Sequence, residues 1–451
     1  MDKSNLSATA RRFVTVDLDY FALALKHTRS LHDRLHIHHA PNPHSEPPAG
    51  KDLEVFIAKL LLFLKPDPPV ITTQSYEDTL PSPHFWNAIR AISIISRLMT
   101  RLHPEDNCEY EQSYCSLCSV VRKDWATLWK WVLCGVRRAW HLDRFPLPSH
   151  NTSFLLDTLH KFMSDLLDTD TKHGLHKSLF ADGAEAFLDL WYLHTIRPEL
   201  DHLVQFPPDY VVNEWLMDGN GSWLRLLGYG DTPEQLVKLV LHRSRKLFRT
   251  KQGFLIKKVD HILHHISFLM CITSIPAIRK HLDAADATTF YTRTFIRVSA
   301  GIGLKDKKES ISRGQVAEEL GILLIICFER MQGITRRLRR SLETGLLVGI
   351  VQCAPRTPED AAVRSVPVLV NTLTKYLDHN SILRLVMRFL SKPQVAQAFS
   401  LMLKCGPFWT ALMNMISMSQ LRVKLLGSSM IRTFNSTQVR HYRVPLVLYA
   451  C

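Results

Sequence analysis

From His84 onward, apolar residues recur at steps of three and four in almost every segment of the 451-residue chain. This spacing places them on one face of an α-helix, which completes a turn every ~3.6 residues. The clearest example carries four tryptophans and runs from about Ser119 to Trp140, and we expect these tryptophans to lie in the core. Alternating apolar and polar residues, the pattern of a half-buried strand, are absent. The sequence therefore predicts an all-α protein.

Two stretches of the second half share a pattern that indicates helical repeats. In HILHHISFLMCITSIPAIRKHL and SILRLVMRFLSKPQVAQAF, a helix ending in Phe-Leu precedes a proline, Pro276 or Pro393, that opens the next helix. Degenerate helical hairpins stack into a solenoid because each buries its apolar face only against a neighbour. We therefore expect an armadillo- or HEAT-like helical-repeat solenoid.

Proline, glycine and loss of periodicity divide the chain into three predicted regions. Residues 1–83 contain N-terminal helices with proline-rich linkers such as PNPHSEPPAG. Residues 84–426 form the helical-repeat domain, and residues 427–451 form an irregular basic tail. Within the repeat domain, one long helical segment is predicted from Gly314 to Gln352.

Targeting signals and cysteine usage indicate the cellular compartment. The opening MDKSNLSATARRF lacks the apolar segment of a secretory signal. The most apolar run, LGILLIICF, is shorter than the ~20 residues that a membrane-spanning helix needs. The nine cysteines are odd in number and scattered, so we expect no disulfide framework. The expectation is an intracellular protein without a transmembrane segment, cytoplasmic or nuclear and not secreted.

Three of the cysteines lie close together in NCEYEQSYCSLC, residues 107–118. Structural zinc takes four Cys or His ligands in a tetrahedron, and Cys-x-x-Cys supplies two of them from a tight turn. The predicted ligand set, in a loop before the tryptophan helix, is His103, Cys108, Cys115 and Cys118. A single Cys-x-x-Cys is also typical of a loop with free thiols. We expect no cofactor, and zinc is the alternative.

Catalytic motifs are missing from the sequence. There is no Gly-x-Ser-x-Gly and no glycine-rich phosphate loop with lysine. His261 and His265 share a helix face, but the stretch HILHH lacks the glutamate of a His-Glu-x-x-His zinc hydrolase. We expect a protein that is not an enzyme.

Positive charge is concentrated in the second half. Residues 236–451 hold 33 Lys and Arg against 12 Asp and Glu, whereas the first 235 residues are net acidic. These bases form either a solvated face paired with the acidic half or a docking site for an anionic partner. The candidate partner-binding residues lie in two basic stretches and are Arg243, Arg245, Lys246, Arg249, Lys257, Lys258, Arg336, Arg337, Arg339 and Arg340.

The chemistry of the partner has two candidates. The first is a protein, with an acidic surface or tail as the natural complement of the bases. The alternative is electrostatic binding of nucleic acid through the helices around Arg243 and Arg336. Aromatic residues among the bases are few, mainly Phe248 and Phe254, so sequence-specific recognition of single strands is not favoured.

Several phrases of the second half resemble a known family. HILHHISFLMCITSIPAIRKHL, AADATTFYTRTF and ILRLVMRFLSKPQVAQAFSLMLKCGPFWTALMNM are similar to the armadillo-like region that precedes a MYND-type zinc finger in uncharacterised proteins of mushroom-forming fungi. The resemblance implies helical repeats over residues 85–426. The finger itself, a run of paired cysteines closed by His and Cys, is absent, since only His441 and Cys451 follow Phe408. Its peptide-binding role is therefore carried to no residue here.

The expected function is a non-catalytic protein-interaction scaffold, a helical solenoid with a basic surface in its second half. Electrostatic binding of nucleic acid is the alternative. A zinc-dependent role centred on Cys115 and Cys118 is the third possibility.

Overall fold

The computed structural model describes residues 82–102, 111–142, 149–167, 184–197, 232–248, 259–302, 307–331, 333–355 and 363–425, with individual positions in 57–68, 147 and 200–213. Every regular element in these ranges is helical, and no strand occurs in them. The prediction of an all-α protein is confirmed.

The chain forms two compact units, unit 1 (Met1–Ser222) and unit 2 (Trp223–Cys451). The helices of unit 1 are α1 (Pro83–Leu102), α2 (Glu111–Lys123), α3 (Trp125–Trp140), α4 (Ser149–Leu167) and α5 (Ala184–Ile196). The domain boundaries predicted at residues 83 and 426 stay predictions, because the chain before residue 57 and after residue 425 lies outside the described part.

Unit 2 contains the remaining long helices. They are α6 (Pro233–Leu247), α7 (Val259–Ser274), α8 (Pro276–Ala284), α9 (Ala287–Ser299), α10 (Lys307–Arg330), α11 (Ile334–Thr344), α12 (Leu346–Gln352), α13 (Ser365–Lys375), α14 (Asn380–Leu390), α15 (Pro393–Ser400) and α16 (Gly406–Leu425). Proline occupies the first turn of α6, α8 and α15, as the sequence predicts.

The tryptophan helix forms the centre of unit 1. Helix α3 packs against α1, α4 and α5, and Trp131 is fully buried, with its Nε1 donating to the carbonyl of Leu64 at 2.9 Å. Trp125 and Trp129 are also buried, so the core location predicted for these three residues is confirmed. Trp140 is only half-buried and stacks on Tyr192. The helix begins at Trp125 and not near Ser119, because a turn at Asp124 separates it from α2.

Glycine breaks the long helical segment predicted from Gly314 to Gln352 into three helices. Gly333, with φ 71°, precedes α11, and Gly345, with φ 110°, separates α11 from α12. Both residues have left-handed backbone conformations that glycine adopts without a steric penalty. The prediction of helical structure holds on either side of each break, but the prediction of a single continuous segment is wrong.

Helices three positions apart along the chain pack side by side in unit 2. One series joins α7, α10, α13 and α16, and a second joins α9, α12 and α15. Helix α11 also packs on α14, and one ion pair connects α11 to α8. The first members of successive layers begin roughly 40 to 60 residues apart, near the length of armadillo and HEAT repeats.

The series of packed helices differs from the pattern that the two sequence stretches around Pro276 and Pro393 share. The shared pattern aligns α7 and α8 with α14 and α15. Contacts instead relate α7 to α10, α13 and α16, so α7 and α14 belong to different series. The Phe-Leu and proline pattern marks a common helix-to-helix turn, and it does not mark equivalent positions of this three-helix stack.

Helix α12 approaches α9 closely at Gly349, which has no side chain to separate the two backbones. A Cβ atom there would lie 2.9 Å from the ring of the buried Phe295 and 3.3 Å from the Cα of Ile296. We therefore expect Gly349→Ala to lower the free energy of unfolding by about 1–3 kcal/mol, because the core must shift to admit a methyl group.

Gly314→Ala in α10 is the matched control. Nothing lies within 4 Å of a Cβ atom at that position. Alanine should therefore stabilise the helix there by about 0.5–1 kcal/mol through its higher helix propensity. Denaturant unfolding followed by circular dichroism measures both changes, and equal effects of the two substitutions would contradict the close approach of α12 to α9.

Candidate functional site

The predicted zinc ligands Cys115 and Cys118 lie inside a helix. Both belong to α2, one turn apart, so the prediction of a loop for this Cys-x-x-Cys is wrong. Cys118 is fully buried and Cys115 is half-buried. His103 and Cys108 lie outside the described residues. Among the residues that are described, no three His, Cys, Asp or Glu side chains are grouped so that they could hold a metal ion.

The basic stretch on α6 is only partly at the surface. Arg243 is 0% exposed and belongs to the core, so the expectation that it forms a docking surface is wrong. Arg245 and Lys246 are exposed, and the guanidinium of Arg245 lies 5.9 Å from the ring centre of Phe290. Arg249, Lys257 and Lys258 lie outside the described residues.

The four arginines of α11 occupy different environments. Arg337 is buried, and its Nη1 donates to Asp283 Oδ1 at 2.8 Å, so the expected exposed face is wrong at this residue. Arg340 pairs with Asp286 at 3.3 Å, and Arg339 pairs with Glu343 one turn along the same helix. Arg336 is exposed and forms no ion pair with any described residue.

Acidic residues of unit 2 therefore neutralise three of these four charges. The predicted alternative to a docking role was pairing of the bases with the acidic first half of the chain. In the structure the paired acids Asp283, Asp286 and Glu343 all belong to unit 2.

Helix α11 is linked to α8 by the Arg337–Asp283 ion pair, and it packs on α14. Arg279 Nη1 donates to the carbonyl of Arg330 at 3.2 Å, and Arg330 Nη1 donates to Ser274 Oγ at 2.7 Å. The first bond joins α8 to the end of α10, and the second joins the end of α10 to the end of α7. Between α11 and α14, Thr335 Oγ1 and His379 Nε2 share a 3.4 Å hydrogen bond at the starts of the two helices.

The same face of each of these three helices is turned outward. Ile278 and Leu282 of α8, Leu338 and Leu342 of α11, and Leu383 and Val386 of α14 are buried. Residues on the opposite side of each helix are exposed, because side chains about two positions from a buried one point away from it. The exposed bases there are Lys280 on α8, Arg336 and Arg339 on α11, and Arg384 and Arg388 on α14.

Four of these bases have no acidic partner among the described residues. We name Lys280, Arg336, Arg384 and Arg388 the basic stripe; they lie on three helices, of which α11 is joined to α8 by an ion pair and packs on α14. Sequence analysis found only Arg336, because the other three lie outside the two basic stretches of the sequence. Each of these bases lies two positions from a buried apolar residue of its helix, and that spacing is the signal that could have located them.

Other polar clusters in the structure are internal. Ser244 Oγ lies 2.8 Å from His265 Nε2 and 2.8 Å from the carbonyl oxygen of Val240, and both Ser244 and His265 are buried. In unit 1, His194 lies between His160, at 3.1 Å, and Asp201, at 2.9 Å, with all three residues buried. None of these groups is at the surface, where a substrate would have access.

Buried thiols also lack the chemistry of nucleophiles. Burial raises the pKa of Cys134 to about 11 and the pKa of Cys327 and Cys353 to about 12. A thiol is nucleophilic as its thiolate, and these three cysteines stay protonated near neutral pH.

Comparisons with known proteins assign no family to this arrangement. The chain matches no family model, no curated protein and no solved structure. Among the described residues, no single helix has the length and apolar character to cross a membrane. Helices α7 and α8 reach that length and apolar character only when taken together, and a bend of 108° separates them.

The ion pairs of α11 differ in burial, and this difference can be measured. Asp283→Asn should lower the free energy of unfolding by about 1–3 kcal/mol, because it leaves the buried guanidinium of Arg337 without a counter-charge. Asp286→Asn should change it by less than ~0.5 kcal/mol, because both partners of that pair are about half exposed. Thermal or denaturant unfolding of the two variants tests this order, and a larger loss in Asp286→Asn would contradict it.

The buried carboxyl of Asp165 gives unit 1 a pH dependence. Burial raises the pKa of Asp165, although Ser96, Lys161 and Thr100 hydrogen-bond to the carboxylate and oppose the shift. Between its ordinary pKa and the raised one, the folded protein binds a proton that the unfolded chain does not. Lowering the pH from 7 towards 4 should therefore stabilise the wild type relative to Asp165→Asn. Unfolding of both proteins across this range measures the difference, and the opposite slope would show that the ion pair with Lys161 dominates.

Proposed function

We propose that unit 2 is an armadillo-like solenoid that serves as a non-catalytic interaction scaffold, and that its basic stripe binds an acidic protein partner. The observation that carries this proposal is the series of exposed, unneutralised bases on successive helices of one stack. A stack of helices offers an extended surface on which several layers contact one partner.

The stacking of helices three positions apart supports the solenoid. In armadillo repeats each layer contributes three helices, and each helix packs on its equivalent in the next layer. The series from α7 to α16 and from α9 to α15 follow this rule. Apolar faces that a single layer could not bury are covered by the next layer.

The charge balance of the stripe supports an anionic partner. Acids of the same unit already neutralise Arg337, Arg339 and Arg340. Lys280, Arg336, Arg384 and Arg388 remain without such acids in the described structure, and four like charges on adjacent helices repel one another. An acidic ligand would remove this repulsion, and electrostatic attraction would also speed its association.

A protein is favoured over single-stranded nucleic acid as the partner. No exposed side chain of α8, α11 or α14 is aromatic, so these helices offer no platform for stacking bases. The zinc-dependent role of Cys115 and Cys118 stays a prediction, because two of its four expected ligands lie outside the described residues.

Affinity purification of the tagged full chain from its native cells, with and without nuclease, tests this function. A variant with Lys280, Arg336, Arg384 and Arg388 all changed to Gln should lose the partners that survive nuclease treatment in the wild type. The matched control changes Arg293, Arg364, Lys404 and Lys424 to Gln, which removes the same charge from exposed positions outside the three helices. It should retain those partners.

Two results would contradict the proposal. Partners that disappear after nuclease treatment would indicate a nucleic-acid surface. Equal loss of partners from both variants would indicate that net charge alone, and not the basic stripe, holds them.

A further inference from the structure

Arg337 uses only one nitrogen of its buried guanidinium within the described structure. Its side chain is 5% exposed, and Nη1 donates to Asp283 Oδ1 at 2.8 Å. Nε and Nη2 are also buried, and no described residue accepts a hydrogen bond from either of them. A guanidinium carries five N–H donors and no acceptor. The carboxylate at Nη1 therefore leaves most of the donors of Arg337 without an acceptor among these residues.

The two nitrogens without an acceptor lie on one edge of the guanidinium. The N–H bonds of Nε and Nη2 along that edge are parallel, and they match the two oxygens of a carboxylate in a bidentate pair. Asp283 approaches the other side of the group, at Nη1. Charge-assisted hydrogen bonds are about twice as strong as those between neutral groups. The shape of the free edge therefore favours a carboxylate over a spherical ion.

A buried thiol near Arg337 supplies no negative charge to this edge. Cys327 belongs to α10, against which α11 packs, and it is completely buried. Burial raises the pKa of its thiol to about 12, although the positive charge of Arg337 lowers it. The thiol therefore stays protonated near neutral pH, and a protonated thiol is only a weak hydrogen-bond acceptor.

Two features favour entry of a further carboxylate. Asp283 is 44% exposed, so its ion pair with Arg337 lies directly beneath the surface of unit 2. The surrounding sequence is strongly basic, with 33 Lys and Arg against 12 Asp and Glu in residues 236–451, and this surplus offsets the repulsion between Asp283 and a second carboxylate. A group with a single negative charge meets less repulsion than a phosphate ester, which carries about two.

We propose that Nε and Nη2 of Arg337 bind a carboxylate group, while Asp283 occupies Nη1 of the same guanidinium. The group is either a small free carboxylate, such as formate or acetate, or the side chain of an Asp or Glu from a bound protein. The site does not rest on the proposed function, since its residues are not those of the basic stripe. Filling it stabilises the fold, because buried N–H groups of a charged side chain acquire acceptors.

Thermal unfolding of the full-length chain at neutral pH tests the site, with formate or acetate exchanged for chloride at constant ionic strength. Formate at tenfold its dissociation constant should raise the unfolding midpoint by about 3–5 °C. A peptide of four glutamates is the second probe. Stabilisation through Arg337 by the small carboxylates alone would identify a free ion as the ligand. Stabilisation through Arg337 by the peptide as well would identify a protein side chain.

Two variants locate the effect. Arg337→Lys keeps the positive charge but lacks the planar pair of donors, so it should lose the formate shift relative to its own midpoint in chloride. Arg340→Lys is the matched control, because Arg340 is 43% exposed and pairs with Asp286, and it should keep the shift. If Arg337→Lys does not fold, saturation-transfer NMR of formate with the wild type replaces it. The formate signal should respond, and acetate should suppress the response where chloride does not.

Three results would overturn the inference. Equal midpoints in formate, acetate and chloride, without saturation transfer to formate, would mean that Nε and Nη2 bind water alone. A shift that survives in Arg337→Lys would place the carboxylate elsewhere on the chain. Equal competition by chloride would show an ion site that does not select a carboxylate. None of these results bears on the basic stripe, which the purification of partners tests separately.

Discussion

Burial of the long helix α10 is the interaction on which unit 2 depends. Leu320, Leu324 and Phe328 are completely buried because α7, α9 and α13 surround the helix. Burying a leucine or phenylalanine side chain stabilises a fold by about 1.5–3 kcal/mol. Removing any of these neighbours would expose part of the apolar surface of α10, so the helices on either side are stable as parts of one stack.

Local pattern in the sequence was sufficient to predict the secondary structure but not its interruptions. Apolar spacing persists across Gly333 and Gly345, so periodicity alone gives no sign that the backbone turns there. The sequence did not predict which helices pack against each other, since that depends on contacts between helices that lie far apart in the chain. The shared Phe-Leu and proline pattern is a local similarity in sequence, and the helices that it aligns belong to different series.

Local sequence pattern also did not predict which of the basic residues are exposed. Four arginines within five positions look alike in the sequence, yet the helix turns Arg337 towards the core and Arg336 towards solvent. The acids that neutralise Arg337 and Arg340 lie 54 residues earlier in the chain. Conversely, Lys280, Arg384 and Arg388 lie outside the two basic stretches of the sequence, and only the fold relates them to Arg336.

In the part of unit 2 that the structure describes, the principal contacts do not reach beyond the third helix along the chain. A stack built from such contacts needs no interaction between its two ends, so its topology sets no fixed number of layers. A three-helix layer gained or lost at an end would alter one interface and leave the others intact. The length of the exposed surface, and with it the number of bases on that surface, then changes by whole layers while the core of each remaining layer stays the same.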